Sequence, residues 1–232
     1  MVAIILHLYY QDLWDDFKKK LLPIIDDNIH LFVTTNSDND VTDDIRKYAK
    51  EVYIVENIGM DFGPFINVYN QIKNDGYDYF LKIHTKKSKH NNKLGNVWRE
   101  KLTEVFFNSK SGFNTIVETM IIDDSIYMAG AYSCFYDRMK EPLGSLSLMD
   151  NEETIKIVNS FLNIETHGCF FAGSIFMASK KYLDILFKNV ILDEFELIFN
   201  HPYNSGVSTS HAMERLIGYG VEHHGGKFLI IN

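Results

Sequence analysis

The chain has 232 residues, of which 46% are apolar and 14% aromatic, so it can bury one large core and is not a disordered chain. Its 23 basic and 31 acidic side chains give a formal net charge of −8, which argues against broad binding to nucleic acids or anionic membranes, because such binding needs clustered cations. Cys134 and Cys169 lie far apart and outside any C-x-x-C spacing. That spacing supports neither a disulfide framework nor a thiolate zinc site, and it favours a cytoplasmic setting.

The first half of the chain alternates short apolar runs with amphipathic segments. Its first strand lacks the flanks of a secretory signal, and no run reaches the roughly 20 apolar residues of a membrane span, so we expect membrane contact to be at most peripheral, at the inner face of a membrane. The predicted elements, in chain order, are a strand over 3–9, a helix through Leu13, Phe17 and Leu21, a strand over 31–34, a helix over 43–50 preceded by Thr42, a strand over 52–55, a helix over 65–72 and a strand over 79–83.

The same alternation continues to the end of the chain. The remaining predicted elements are a long helix marked by Trp98, Leu102, Val105 and Phe106, a strand over 126–131, a helix over 155–161, a strand over 170–177, helices over 180–187, 193–199 and 208–218, and a strand over 227–231. We interpret the irregular region 138–151 as a loop. Strands that alternate with helices predict an α/β fold, a single domain with a mostly parallel central sheet and helices on both faces.

In open α/β sheets a ligand lies beyond the carboxyl ends of the strands, and the loop after the first strand carries His7, Tyr9 and Tyr10. Their rings could stack on a nucleotide base, a contact worth about 1–3 kcal/mol, or the tyrosines could simply cover the first helix; the two interpretations weigh equally. Thr34 ends the second strand with a hydroxyl that could bind a ribose or a base edge, although threonine is also an ordinary turn residue.

The segment 56–65 contains Asn57, Gly59, Asp61, Gly63 and a proline. Two glycines around a lone carboxylate describe a tight backbone path that aims backbone amides and the carboxylate at a ligand. The alternative is a loop in which the carboxylate only caps the following helix, and we favour the ligand.

The segment 79–90 places four lysines and two histidines at the end of an apolar strand. Lys82 lies within the strand, so its ammonium begins partly buried and needs an anionic partner, which a diphosphate would supply. His84, Lys86 and Lys87 follow at the strand end. A solvated basic turn is the alternative, and it fits Lys82 and His84 poorly, so we favour anion binding.

Two further segments lie near the end of the chain. In 167–174, small residues such as Gly173 stand between aromatic residues and let the backbone approach a ligand. In 208–216, His211 and Arg215 share a helix face at i and i+4, and Glu214 lies beside them, so a base, a carboxylate and a cation can converge. An ordinary surface pair is the alternative, and on this segment alone it is the stronger one.

Taken together, these motifs resemble the rhamnan synthesis protein F family, which is associated with bacterial cell-surface polysaccharide assembly and regarded as glycosyltransferase-like. The motifs that carry the resemblance are HLYY at 7–10, ENIGMDFGPF at 56–65, YDY at 77–79 leading to KIHTKKS at 82–88, FAGSIF at 171–176 and HAMERL at 211–216.

The resemblance implies a GT-A-like, Rossmann-related domain with a nucleotide-sugar-binding half, 1–110, and an acceptor-side half, 111–232. Its partners would be a nucleotide-diphosphate sugar and a glycan or lipid-linked glycan acceptor. The donor motif of that fold is usually Asp-x-Asp, which binds a divalent metal, but the matching position here reads His84-Thr85-Lys86. Since lysine is not a metal ligand, we expect no metal and no other cofactor, with cations taking the metal's place.

The roles implied for the residues follow from this reaction. Lys82, Lys86 and Lys87 would neutralise the leaving diphosphate, and Asp61 would orient the donor. Glu214 or His211 would be the base, with Arg215 as its partner.

Two other functions remain open at this stage. One is a non-catalytic binding module of a larger polysaccharide synthase, and the other, more remote, is a phosphatase or phosphotransferase, for which the sequence has no P-loop.

Overall fold

A seven-stranded sheet organises the chain, and the computed structural model describes residues 1–56, 59–86, 92–137, 152–199 and 209–232 of it. The strands are β1 (Val2–His7), β2 (Ile29–Thr35), β3 (Glu51–Ile54), β4 (Tyr79–His84), β5 (Ile126–Ala131), β6 (Phe135–Asp137), β7 (Cys169–Phe171), β8 (Phe176–Ser179) and β9 (Lys227–Ile231). The helices are α1 (Trp14–Leu21), α2 (Asp40–Ile45), α3 (Phe62–Ile72), α4 (Asn92–Phe107), α5 (Lys110–Ile122), α6 (Glu152–Leu162), α7 (Lys180–Leu186), α8 (Leu192–Leu197) and α9 (Thr209–His223), with short 3-10 turns at Gln11–Leu13 and Tyr132–Cys134.

The strand order in the large sheet is β3-β2-β1-β4-β8-β5-β9. Neighbouring strands of this sheet are parallel, except that β8 is antiparallel to both β4 and β5. Strands β6 and β7 form a separate antiparallel pair. The carboxyl ends of β1, β2, β3 and β4 therefore share one edge of the sheet, where a ligand is expected in open α/β folds.

The central strands β1 and β4 are covered on both faces of the sheet. Every side chain of β1 and of β4 is buried, including Lys82 and the histidines at the two strand ends, as expected for strands covered on both faces. Ala3 and Ile5 pack into one core cluster with α3 and α9, whereas Ile4 and Leu6 pack into the other with α1 and α5. The prediction of an α/β fold with a mostly parallel sheet covered on both faces is confirmed.

Several predicted elements needed correction. The apolar run 170–177 is not one strand, because Gly173 and Ser174 both have positive φ and divide it into β7 and β8, which lie in different sheets. Helix α2 begins at Asp40 instead of after Thr42, since the side chain of Asn39 accepts the amide hydrogen bonds at its start. Helix α5 and strand β6 were not predicted, and the irregular region 138–151 lies outside the described residues.

No helix within the described part of the chain combines the length and the apolar composition that crossing a membrane requires.

Candidate functional site

Three polar side chains stand level with one another at the carboxyl edge of the sheet. In the strand register His7 is opposite both Thr34 and His84, so the ends of β2, β1 and β4 present these side chains side by side. His7 Nδ1 lies 2.9 Å from Thr34 Oγ1, and the backbone amide of Thr85 donates to the carbonyl of His7 at 3.0 Å. The three side chains are buried, so they lie beneath the solvent-exposed surface of this edge.

A buried ion pair lies next to this row. Lys82 is 1% exposed, and its Nζ donates hydrogen bonds to Asp61 Oδ2 and, at 2.9 Å, to the carbonyl of Ser174. The ring centroid of Phe62 is 4.2 Å from the same ammonium. The sequence predicted an anionic partner for Lys82 and assigned that place to a diphosphate; the structure places the carboxylate of Asp61 there instead, because α3 brings this residue against β4.

Protonation in this cluster is set mainly by burial. Desolvation lowers the pKa of His7 to about 4 and the pKa of His84 to about 3, in spite of the attraction of the nearby Asp61 carboxylate. Burial alone would raise the pKa of Asp61, but the Lys82 ammonium outweighs it, joined by the two histidines once they are protonated at low pH, and this pKa lies well below its usual range. Both rings are therefore neutral near pH 7, whereas Asp61 is ionised.

The backbone before α3 aims Asp61 at Lys82. Asp61 occupies the N-cap position of α3 without making a side-chain cap hydrogen bond, so the alternative of a simple helix cap is wrong. Gly59 has a φ of +75°, and a Cβ at this position would lie 2.7 Å from Phe199 Cβ. The hydroxyl of Ser210 donates to the carbonyl of Gly59 at 2.6 Å, which ties the loop to the start of α9. Gly63 is buried in the first turn of α3.

Glu214 of α9 reaches the turn between β7 and β8. Its Oε1 accepts hydrogen bonds from the amide of Gly173 at 2.6 Å and from the hydroxyl of Ser174 at 3.2 Å. Ser174 also accepts from Lys82 through its carbonyl, so this turn connects the carboxylate of Glu214 to the ion pair of β4.

Arg215 is buried, whereas His211, which is one turn earlier on the same helix face, is half-buried. From Ala212 to Val221 every residue except the half-buried Glu214 is buried, so an ordinary exposed surface pair does not form there. Arg215 Nη1 donates to the backbone carbonyl of His211 at 2.7 Å and lies 3.7 Å from Glu214 Oε2. The carboxylate of Glu214 and the guanidinium of Arg215 therefore lie close together, and Arg215 contacts His211 through the backbone carbonyl of that residue.

The remaining predicted site residues lie around this centre. The rings of Tyr9 and Tyr10 are half-buried and meet edge to face with centroids 4.8 Å apart, just beyond β1. Lys86 is exposed two residues beyond the end of β4. Asn57 and Lys87 lie outside the described residues.

Four residues at this edge were missed from the sequence: Gln11, Thr85, Ser174 and Ser210. Gln11 Nε2 donates to Thr35 Oγ1 at 2.8 Å and to the carbonyl of Ser37 at 2.9 Å, which fixes the loop after β2. The hydroxyl of Thr85 accepts from the amide of Tyr10 at 3.0 Å. Single polar residues of this kind carry no sequence signal, since each acts through a partner far away in the chain.

The arrangement holds two carboxylates in fixed orientations near the carboxyl edge of the sheet, Asp61 beside Lys82 and Glu214 beside Arg215. Within the described ranges no three His, Cys, Asp or Glu side chains form a group that could hold a metal ion. The expectation that the site works without a metal stays a prediction.

Comparison with known proteins identifies the family of this chain. The chain matches the family described as rhamnan synthesis protein F over residues 1–225. It is 25% identical over 228 residues to the protein WxcX of two strains of Xanthomonas campestris pv. campestris, an alignment that covers 96% of this chain and 32% of WxcX. The chain therefore spans about a third of the length of these curated relatives.

Two solved structures are also similar. One is a CMP:2-keto-3-deoxy-manno-octonic acid synthetase complexed with CTP, with 10% identity, a TM-score of 0.45 and coverage of 99% of this chain and 88% of that one. The other is core-mannan synthase A from Aspergillus fumigatus in an Mn/GDP form, with 8% identity, a TM-score of 0.39 and coverage of 93% and 70%. With TM-scores below 0.5, neither likeness decides the fold or the chemistry of this chain.

Proposed function

The chain belongs to the rhamnan synthesis protein F family, and from this membership we propose that it is a glycosyltransferase with a GT-A-like site. It moves a sugar, rhamnose or another hexose or deoxyhexose, from a nucleotide-diphosphate donor to a glycan or lipid-linked glycan acceptor of the cell surface. The observation that carries the proposal is the carboxylate of Glu214, held by Gly173 and Ser174 beside the carboxyl edge of the sheet. We place the protein in the cytoplasm, in peripheral contact with the inner face of the membrane.

The donor diphosphate meets the cations after β4. Because Lys82 is already paired with Asp61, its charge is balanced, and its part in the reaction is to fix the carboxylate that orients the donor. Lys86, which is exposed at the strand end, and Lys87 then neutralise the diphosphate as it leaves. A preformed cation at the position where negative charge develops lowers the barrier, because it needs no reorganisation during the reaction.

The acceptor side supplies the base. Glu214 removes the proton from the acceptor hydroxyl, the oxygen forms a bond to the anomeric carbon, and the bond from that carbon to the nucleotide diphosphate breaks. Two hydrogen bonds to Oε1 fix this carboxylate, and Arg215 faces Oε2 at 3.7 Å. His211 is the competing candidate for the base. Direct displacement of this kind inverts the sugar, so a retained configuration in the product would contradict it.

The transfer is expected to be independent of a divalent metal, because Lys86 occupies the position where the metal-binding carboxylate of the usual donor motif stands. Initial rates with a chelator and with added manganese or magnesium test this directly. Activity that the chelator abolishes and either metal restores would refute metal independence without refuting sugar transfer.

A panel of labelled nucleotide-diphosphate sugars, offered with oligosaccharide and lipid-linked acceptors, tests the function itself. Lys86→Ala should lower turnover by roughly 10²–10³-fold. Lys47→Ala, which removes an exposed lysine of the loop after α2, is the matched control and should leave turnover unchanged.

Glu214→Gln should lower turnover by at least about 10²-fold with donor affinity nearly unchanged, because the amide oxygen still accepts both hydrogen bonds but cannot take a proton. Normal turnover in Glu214→Gln together with an inactive His211→Ala would assign the base to His211.

A non-catalytic binding module is the second candidate, and one observation favours it. The chain spans about a third of the length of WxcX, so the family region can be one part of a larger synthase. A module would bind a nucleotide sugar or a glycan and release it unchanged. Binding by calorimetry without transfer or hydrolysis of any labelled donor would support the module over the enzyme.

A further inference from the structure

We propose that Ser174 is a positioning residue, which holds the base Glu214 in a fixed place relative to the ion pair on β4. This inference rests on the function proposed above. It concerns a residue that neither the motifs nor the family assigns a role, and it explains why the turn between β7 and β8 has its unusual backbone.

Ser174 contacts both sides of the site with different groups. Its hydroxyl donates to Glu214 Oε1 at 3.2 Å, and its carbonyl accepts from Lys82 Nζ at 2.9 Å. The preceding amide, that of Gly173, donates to the same carboxylate oxygen at 2.6 Å. One short turn therefore links a carboxylate 40 residues later in the chain to an ammonium 92 residues earlier.

The backbone of Ser174 is strained for its residue type. Its φ is +55°, a left-handed conformation that glycine adopts freely and that costs other residues free energy. Within the described ranges Met60 and Asn163 also have positive φ, but Asn163 is exposed and Met60 half-buried, whereas Ser174 is 6% exposed. Glycine would relieve this strain and would keep the carbonyl that Lys82 uses. What glycine cannot supply is the hydroxyl that reaches Glu214.

The sheet fixes where this turn stands. Strand β8 pairs with β4, and Phe176 lies opposite Lys82 in the register. The turn therefore ends two residues before a strand that is hydrogen-bonded to the strand of the ion pair. Strain that the surrounding structure imposes on a residue between two functional groups is typical of preorganised sites. We infer that the serine acts here through its hydroxyl, which limits the positions that the Glu214 carboxylate can adopt.

The test combines kinetics and crystal structures of Ser174→Ala, Ser174→Gly and Ser174→Asn. Ser174→Ala should lower kcat by about 10–100-fold, the loss usual for a residue that orients a functional group, and should leave the donor KM within about threefold. Its crystal structure should show the Glu214 carboxylate rotated or spread over several positions.

Ser174→Gly should lower kcat as Ser174→Ala does but should melt at a higher temperature than Ser174→Ala, because it relieves the strain. Ser174→Asn should recover most of kcat, since asparagine tolerates positive φ and its amide can donate to Glu214.

Ser179→Ala is the matched control. Ser179 is buried to a similar degree, and its hydroxyl oxygen accepts a hydrogen bond from the amide of Tyr182 at the start of α7. It should lower the melting temperature without changing kcat, as a purely structural serine does.

The outcomes separate this inference from the proposed function. An unmoved Glu214 in Ser174→Ala with kcat within threefold of the parent overturns the inference, and so does a Ser174→Asn variant no better than Ser174→Ala. If the parent protein transfers sugar from none of the donors, the proposed function fails. The position of Glu214 in the variant crystal structures then still decides whether the Ser174 hydroxyl holds it.

Discussion

At the scale of single residues, the ion pair of Lys82 and Asp61 should contribute strongly to stability, because both charged side chains are buried. Removing one partner from a buried pair leaves the other charge without compensation, which costs about 3–5 kcal/mol. Lys82→Met should therefore lower the free energy of unfolding by that amount in urea titrations. The double variant Lys82→Met with Asp61→Asn should recover most of the loss, because it removes the unpaired charge as well.

Lys18→Met serves as the control for this experiment. Lys18 pairs with Asp44 at 2.7 Å between two partly exposed side chains, where water replaces the lost partner. Its effect on the free energy of unfolding should be much smaller. Equal losses in Lys18→Met and Lys82→Met would contradict the view that burial sets the importance of the site pair.

The two buried histidines predict how stability depends on pH. The pKa of His7 is lowered to about 4 and that of His84 to about 3 by burial, whereas in the unfolded chain both have values near 6.5. Between these values the unfolded chain binds more protons than the folded one, so stability is complete above about pH 6.5 and is lost as the pH falls toward 4. Each histidine contributes a slope of up to about 1.4 kcal/mol per pH unit.

Urea titrations between pH 7 and pH 4.5 measure this slope. His84→Gln removes one of the two titrating groups and should make the dependence on pH shallower. The lowered pKa of Asp61 adds a further loss of stability only below about pH 4, near the unfolded value of its carboxyl group. A dependence equally steep in the parent and in His84→Gln would exclude His84 as a source of the effect.

At the scale of elements, the loop between β3 and α3 depends on a glycine for two separate reasons. Gly59 and Gly225 have similar φ values, +75° and +72°, but a Cβ on Gly59 would meet Phe199, whereas a Cβ on Gly225 has nothing within 4 Å. Gly225→Ala should therefore cost only the conformational term, about 1–2 kcal/mol. Gly59→Ala should cost about 1–3 kcal/mol more, because it adds the clash. Calorimetric melting of the two variants measures the difference, and similar losses would show that the contact with Phe199 yields easily.

The elements also show where sequence reasoning succeeds and where it stops. The fully buried strands β1 and β4 are predominantly apolar runs, so their positions and their shared edge could be predicted from local pattern. The division of 170–177 could not, because both of its parts are apolar and the break depends on the backbone of Gly173 and Ser174. The position of Lys82 near the carboxyl edge of the sheet could be predicted, because Lys82 lies near the end of strand β4. Its counter-ion Asp61 lies at the start of α3, and no local sequence pattern specifies that contact.

At the scale of the whole molecule, the two halves predicted from the sequence, 1–110 and 111–232, are joined through the sheet. Strand β4 of the first half pairs with β8 of the second. The amide of Lys180 donates to the carbonyl of Asp78 at 2.7 Å across the same junction. Separating the halves would expose the edge of β4 that pairs with β8 and the parts of both core clusters that the second half covers. We therefore expect neither half to fold alone and the chain to unfold in one step.

Both tryptophans, Trp14 and Trp98, lie in the first half, which makes this prediction easy to measure. Tryptophan fluorescence excited at long wavelength reports only 1–110, whereas far-UV circular dichroism reports helices of both halves. In a urea titration the two signals should give the same midpoint and the same m value, and that m value should match the surface exposed by a chain of this size. The fragment 1–110 should show no cooperative transition. Separate midpoints, or a fragment that melts cooperatively, would mean that residues 1–110 form a domain of their own and that the turn at Ser174 contacts an independent unit.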